Sequence, residues 1–281
     1  MQQSSGNAKV AIGLIDGPVM LTHPDLAREK LREISVSNGA SCTETNTMAC
    51  SHGTFVAGIL SARRGSAAPA ICPDCTLLIR PIFFSKTSGQ EQMPSATPQE
   101  LSTAITECIT AGARIVNLSL ALAQPSLKTE RALTEAINVA ANQGVIVVAA
   151  AGNQGTLGSS AITRHPWVIP VASCDLSGRP INGTNLGRSI GTFGLSAPGD
   201  NITSLGTEGK PFTSGGTSVA VPFVTGTIAL LWSVFPAATA AQIKLALFHT
   251  ASPRRAALVP PLLDANAAYQ SLVTNHWPVN P

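Results

Sequence analysis

The long uncharged segment between Lys210 and Lys244 constrains the fold more than any other part of the chain. It includes two successive glycines, which allow sharp backbone bends, and continues as an apolar run over residues 219–235. The run is long enough for a helix of about four or five turns. It is short for a bilayer and is interrupted by Pro222 and by small polar residues. We therefore expect a helix buried in a protein core, with a membrane span as the alternative.

Ser218 follows the glycine pair closely and lies at the predicted first turn of this helix. Free backbone N–H groups and the positive end of the helix dipole gather at that turn. A hydroxyl placed there can attack a carbonyl carbon while its own N–H stabilises the resulting oxyanion. Such a nucleophile needs a general base and a group that orients the base. Two candidates are His52, at the predicted start of a helix of small and apolar residues, and Asp16, which follows the mostly apolar segment 9–15.

Short apolar segments alternate with helical patterns along the 281 residues. Charged residues form only 12% of the chain and apolar residues 44%, a balance typical of a large compact core. Continuous apolar runs are typical of parallel strands that are covered on both faces. We therefore predict an α/β fold with a mostly parallel central sheet and helices on both faces, and further short strands at 189–195 and 201–204. Because no internal repeat or clear linker is visible, residues 1–281 are expected to form a single domain.

The charge pattern and the possible metal ligands argue against several other functions. The net charge is only +3, and basic residues pair only at 63–64 and 254–255, so nucleic-acid binding is not supported. The five histidines are scattered without metal-ligand spacing, and Cys72-Pro-Asp-Cys75 has no second cysteine pair. We therefore expect no metal site and no cofactor.

The cysteines and the N-terminal residues are evidence on the cellular compartment in which the protein works. Six cysteines are few for a disulfide scaffold in a chain of this length, so we expect mostly free thiols. A Cys42–Cys50 bridge across a polar loop is the main exception that we expect. Residues 1–6 lack the apolar core of a signal peptide, which indicates a cytoplasmic protein. A secreted protein that had lost its signal and propeptide would look similar, and that alternative stays open.

Three motifs resemble those of the subtilisin-like serine proteases. Residues 216–222 read Gly-Thr-Ser-x-Ala-x-Pro, as in the family's nucleophile segment, and residues 52–58 read His-Gly-Thr-x-Val-Ala-Gly, as in its histidine segment. Residues 150–153 read Ala-Ala-Gly-Asn, as in its oxyanion segment, and the order Asp16, His52, Ser218 is that of subtilisin. The resemblance covers about residues 9–251. It implies a three-layer subtilisin-like fold and a serine endopeptidase that needs no metal or organic cofactor.

The resemblance also assigns roles to individual residues. Ser218 is the expected nucleophile, His52 the general base and then acid, and Asp16 the group that orients the imidazole. The Asn153 amide and the Ser218 N–H are expected to stabilise the oxyanion. A peptide substrate is expected to bind as an added strand beside residues 119–122. The expected substrate-binding residues are Ser119, Leu120, Ala121, Leu122, Gly152, Ser160 and Thr217. An α/β-hydrolase esterase does not fit, because Ser218 is not in a Gly-x-Ser-x-Gly turn.

Finer features resemble the leader-cleaving cyanobactin-maturation proteases, which process ribosomal precursor peptides. They are Ile-Asp-Gly-Pro-Val at residues 15–19 and Leu-Ile-Arg-Pro-Ile-Phe at residues 78–83. Macrocyclising members of that branch carry a large insertion between the catalytic Asp and His, for which residues 17–51 are too few. We therefore expect a precursor peptide as substrate. The alternatives are a secreted degradative protease and a catalytically silent peptide-binding homologue.

One departure from the family pattern bears on specificity. The substrate-binding strand of the family continues with two glycines where this chain has Ala121 and Leu122. Side chains at these positions should narrow the space beside the bound peptide. We therefore expect a small or shape-restricted residue before the cleaved bond.

Overall fold

The structure, a computed structural model, describes residues 4–34, 42, 47–83, 96–120, 122, 130–249 and 258–274. The strands within these residues are β1 Ala11–Asp16, β2 Leu31–Glu33, β3 Thr76–Pro81, β4 Ile115–Leu118, β5 Ile146–Ala150, β6 Val168–Cys174, β7 Leu195–Pro198, β8 Ile202–Leu205 and β9 Pro211–Ser214. The α-helices are α1 Met48–Ser61, α2 Pro98–Thr110, α3 Arg131–Asn142, α4 Arg188–Phe193, α5 Thr217–Val234, α6 Ala240–His249 and α7 Ala265–Thr274.

Seven strands form one sheet in the order β2-β3-β1-β4-β5-β6-β7. Every neighbouring pair in this sheet is parallel, which confirms the predicted mostly parallel sheet. Strands β8 and β9 form a separate antiparallel hairpin. Because all seven strands run in the same direction, their carboxyl ends lie along one edge of the sheet, where open α/β folds place their chemistry.

Helices cover both faces of the sheet and complete the three predicted layers. One hydrophobic cluster joins the sheet to α1, α5, α6 and α7, and a second joins it to α2 and α3. Strand β1 contributes side chains to both clusters, since Ile12 and Leu14 belong to the first and Ile15 to the second. Successive strand side chains point to opposite faces, which explains why such strands read as continuous apolar runs.

Helix α5 lies in the core, as the uncharged segment predicts. By length and composition alone it could cross a membrane, but 78% of its residues are buried inside the protein. The Trp232 side chain is fully buried, and its indole N–H donates a hydrogen bond to the carbonyl of Ala238. A helix that is apolar all round is typical of the centre of a large core.

The cysteines follow the sequence prediction. Cys42 and Cys50 are joined by a disulfide, with their Cα atoms 5.6 Å apart. The other four, Cys72, Cys75, Cys108 and Cys174, are free and buried. Disulfides persist mainly in oxidising compartments, whereas free buried thiols are compatible with reducing ones. The cytoplasmic location therefore stays a prediction.

The strand predicted at residues 189–195 is largely wrong, because residues 188–193 form helix α4 and only Leu195 begins strand β7. Gly194 separates the two elements, and a Cβ at this position would overlap the carbonyl oxygens of Ile190 and Pro170. The close contact between Gly194 and Pro170 of β6 ends helix α4. It also brings the chain close enough for β7 to pair with β6 at the edge of the sheet. That contact depends on tertiary packing, which the local pattern does not contain.

Candidate active site

Four predicted site residues lie near the carboxyl edge of the sheet. Asp16 is the last residue of β1, and Asn153 follows the end of β5 by three residues. Ser218 is the second residue of α5, where backbone N–H groups have no partner within the helix. His52 lies in α1, which begins at Met48 and not at His52 as the sequence predicts. The reason is Thr47, whose side chain accepts a hydrogen bond from the Cys50 N–H and caps the helix earlier.

Asp16, His52 and Ser218 form a continuous hydrogen-bonded chain. The Nδ1 atom of His52 lies 2.7 Å from Oδ1 of Asp16, and its Nε2 lies 3.1 Å from Oγ of Ser218. The same Asp16 oxygen accepts a hydrogen bond of 2.6 Å from the Gly17 N–H. Asp16 is fully buried, whereas 18% of the His52 side chain is exposed. A carboxylate on Nδ1 places the proton there and leaves Nε2 as the acceptor that faces the hydroxyl.

Two glycines bring Asp16 and His52 together. A Cβ at Gly17 would overlap the backbone of Ala49, and a Cβ at Gly53 would overlap the carbonyl oxygens of Gly17 and Pro18. The start of α1 and the turn after β1 therefore pack backbone to backbone. This close approach explains why each of the two catalytic candidates is followed directly by glycine.

Gly53→Ala should lower the free energy of unfolding by about 1–3 kcal/mol, because the new methyl group cannot fit without moving α1 away from β1. The same movement should lengthen the Asp16–His52 contact and reduce activity. Urea unfolding of the variant measures the first effect, and peptide cleavage measures the second. Met48→Leu, a conservative change at an exposed position of α1, is the control and should stay within about 0.5 kcal/mol of the parent. A Gly53→Ala protein with unchanged stability and activity would contradict the packing argument.

The environment of His52 sets the pH range in which it can act. Burial by itself lowers the pKa of His52, but the charge of Asp16 and its hydrogen bond raise that pKa by more, so it lies above the ordinary value of 6.5. A protonated imidazole cannot accept the Ser218 proton. The basic form of His52 is therefore lost as the pH falls through this raised pKa.

The pH profile of kcat/KM should show an acid limb with a midpoint above 6.5, because only neutral His52 can act as a base. In Asp16→Asn the attraction that raises the pKa of His52 is gone, so the midpoint should move to lower pH while the rate falls. The measurement uses a peptide with no group that titrates between pH 5 and 9. An acid limb in the parent centred at or below 6.5 would contradict the assignment.

Thr217 orients the Asn153 amide. The backbone N–H and the hydroxyl of Thr217 donate hydrogen bonds of 2.9 and 3.0 Å to Oδ1 of Asn153. The Thr217 hydroxyl oxygen in turn accepts the Gly152 N–H at 3.1 Å. Because a backbone N–H can only donate, the oxygen end of the amide is identified, and Nδ2 remains as the donor for a ligand. Asn153 is exposed at the surface, so that donor can meet a substrate.

A second hydrogen-bond network, which the sequence analysis missed, lies beneath Ser218. The Thr225 hydroxyl donates to Oδ1 of Asn117 at 2.9 Å, and Nδ2 of Asn117 donates to Oγ of Ser119 at 2.8 Å. The Ser119 hydroxyl donates to the carbonyl of Ser218 at 2.9 Å. The network links β4 to α5 through buried side chains. Asn117 is the residue from which this network could have been predicted, because a polar side chain inside an apolar strand needs buried hydrogen-bond partners.

The remaining predicted substrate-binding residues have different positions. Leu120 and Leu122 are half-buried and pack against the cluster of α2 and α3, while Ala121 lies outside the described residues. Gly152 is buried and has a φ of +106°, a conformation that favours glycine. Ser160 is 8% exposed and exchanges hydrogen bonds with Thr163, whose side-chain oxygen accepts the Ser160 N–H at 2.8 Å. Ser119 contacts the backbone of Ser218 directly, as described above.

Comparison with models of protein families identifies the family of this chain, because the model of the subtilase family matches residues 7–274. The chain belongs to the subtilase family. It is 32% identical over 258 residues to subtilisin amylosacchariticus of Bacillus subtilis subsp. amylosacchariticus and, to the same extent, to subtilisin J of Geobacillus stearothermophilus. Both matches cover 89% of this chain and 61% of the relative. The chain thus spans about three fifths of the length of these relatives.

Solved structures of peptide-maturation proteases are also similar to this subtilase. The protease domain of PatA matches with a TM-score of 0.87 and 26% identity, covering 99% of this chain and 100% of that domain. The prenylagaramide maturation protease PagA matches with a TM-score of 0.81 and 26% identity, covering 96% of both chains. These matches confirm the predicted subtilisin-like fold and agree with the predicted resemblance to the cyanobactin-maturation branch. The PatG macrocyclase, at 19% identity, shares the fold.

Proposed function

We propose that this subtilase is a serine endopeptidase that acts through Asp16, His52 and Ser218. The observation that carries the proposal is the unbroken chain of hydrogen bonds from the buried Asp16 carboxylate through both ring nitrogens of His52 to the Ser218 hydroxyl. A serine hydroxyl is a weak nucleophile at neutral pH and needs such a base within hydrogen-bond reach. Membership of the subtilase family supports the same conclusion.

The reaction follows from these positions. His52 Nε2 accepts the Ser218 proton as Oγ attacks the carbonyl carbon of the peptide bond, and the carbonyl oxygen becomes an oxyanion. His52 then donates this proton to the leaving amine, and the acyl group stays on Ser218. Water attacks the acyl carbon with His52 again as base, which releases the carboxylic acid and restores the hydroxyl. Asp16 stabilises the imidazolium in both halves of the cycle.

The oxyanion is stabilised by donors that are in place before the reaction begins. Nδ2 of Asn153 is the free end of an amide whose oxygen is held by Thr217. The Ser218 N–H lies at the positive end of α5. Donors that are already oriented stabilise the developing charge without reorganisation during the step.

The finer part of the proposal concerns the substrate, which we infer to be an extended precursor peptide cut after a small residue. The similarity to PatA and PagA, both solved as maturation proteases, supports this class of substrate. A general degradative protease and a catalytically silent peptide-binding homologue are the alternatives.

The cytoplasmic location belongs to the same proposal, since a maturation enzyme of this kind meets its precursor peptide where the ribosome releases it.

Cleavage products from a peptide library, identified by mass spectrometry, test the proposal. We expect cuts at a few related sites with small residues before the bond, within long flexible peptides, and little digestion of a folded globular protein. Cuts after large aromatic residues at equal rates, together with digestion of the folded protein, would indicate a degradative protease. Binding of the same peptides without products would indicate the silent homologue.

A further inference from the structure

We propose that Asn185 is a positioning residue for the oxyanion amide, because its side chain holds the backbone on both sides of Asn153. This inference rests on the proposed function and assigns a role to a residue in the segment between β6 and α4. Asn185 is 6% exposed and is separated from Asn153 by about thirty residues of sequence. The local sequence Asn-Gly-Thr-Asn is typical of a turn and gives no sign of this role.

The Asn185 amide uses its full hydrogen-bonding capacity on one loop. Its Oδ1 accepts the N–H groups of Gln154 at 3.0 Å and Thr156 at 3.1 Å. Its Nδ2 donates to the carbonyl of Ala151 at 3.2 Å and to Oε1 of Gln154 at 2.7 Å. A side-chain amide accepts two hydrogen bonds and donates two, so no capacity remains unused.

The backbone of Asn185 adds a fifth contact to the same loop, since its N–H donates to the carbonyl of Gly152 at 2.8 Å. Residues 151–156 are thus held at Ala151, Gly152, Gln154 and Thr156, all from one residue outside the loop. Asn153 is the residue that these anchors enclose.

The loop needs an external anchor because it has no regular structure of its own. Gly152 and Gly155 have φ angles of +106° and +62°, which break any helix or strand ladder. Without Asn185, the Ala151 carbonyl and the Gln154 and Thr156 N–H groups would lose these partners. Only an amide of this length offers two acceptor and two donor positions together. The fit is close, since a Cβ at Gly152 would overlap Nδ2 of Asn185.

Two side chains from outside the loop therefore position the oxyanion donor, in addition to main-chain contacts such as that from the Gly155 N–H to the Gly183 carbonyl. Thr217 fixes the side-chain amide of Asn153, and Asn185 fixes the backbone that carries it. A displacement of about 1 Å in a catalytic group can cost about 100-fold in rate. Asn185 does not touch the reacting atoms, so all of its effect on catalysis should pass through Asn153.

A double-mutant cycle tests this dependence. Asn185→Ala should reduce kcat by about 10- to 100-fold with KM changed less than about 3-fold, because the loop loses its anchor while the peptide-binding strand is untouched. In an Asn153→Ala background the same substitution should reduce kcat by less than about 3-fold, since the donor it positions is already absent. Asn182→Ala, an exposed asparagine in the same turn, is the matched control and should leave kcat unchanged.

Asn185→Asp gives a second test, because a carboxylate keeps both acceptor contacts but sets an oxygen, in place of the donor group, against the Ala151 carbonyl and Oε1 of Gln154. Its kcat should also fall below that of the parent, and it gives a second reading if Asn185→Ala does not fold. Unchanged kcat in Asn185→Asp or Asn185→Ala would overturn the proposal, and so would an equal loss in the two backgrounds. Absence of turnover in the parent protein would instead contradict the proposed function.

Discussion

Ser218→Ala should reduce peptide cleavage by about 10⁶-fold, the scale of loss that removing a triad serine causes in subtilisin itself. The substitution removes the atom that forms the acyl intermediate, while His52 and Asp16 remain in place. Single-turnover assays with the best library peptide measure the loss, and thermal unfolding shows that the variant is folded. Because the nucleophile and the base act as one unit, adding His52→Ala should cause almost no further loss.

A folded Ser218→Ala protein that still cleaves within about tenfold of the parent rate would place the nucleophile elsewhere. A large further loss on adding His52→Ala would show that the two side chains act independently, which contradicts the hydrogen-bonded chain. Binding of the peptide should survive in Ser218→Ala, since the predicted binding strand is unchanged.

Asn153→Ala should lower kcat by about 10²- to 10³-fold with little change in KM, because its amide acts on charge that develops only in the transition state. The lower and upper values bracket the loss seen when subtilisin loses its own oxyanion asparagine. Steady-state kinetics on one peptide separate kcat from KM. Asn182→Ala is again the control, as an exposed asparagine in another loop. A change confined to KM would mean that Asn153 only helps to bind the substrate.

Much of the fold and of the triad was predictable because local patterns determine them. Buried parallel strands need continuous apolar runs, so β1, β4 and β5 are visible in the sequence, each ending near a candidate residue. The glycines after Asp16 and His52 are visible for a similar reason, since backbone-to-backbone packing admits no other residue. Each of these patterns spans only a few neighbouring residues and needs particular residue types, so it can be recognised in the sequence alone.

The supporting contacts were not predictable in the same way, because they join residues that are distant in sequence. Asn117 binds Thr225 of α5, and Asn185 binds the loop around Asn153. An asparagine in a loop near glycine and threonine reads as ordinary turn chemistry whether or not it anchors another loop. The boundaries of α1 and α4 were missed for related reasons, since a cap at Thr47 and a tight contact at Gly194 fix them.

The most direct test of the central claim is fluorophosphonate labelling followed by peptide mapping. The reagent bonds covalently to a serine hydroxyl that an adjacent base activates. We predict one adduct per folded chain, on Ser218, with labelling that fails in His52→Ala and in heat-unfolded protein. The labelling rate should rise with pH through a midpoint above 6.5, in step with the deprotonation of His52. A folded parent protein with no adduct, or with an adduct on another serine, would contradict the account.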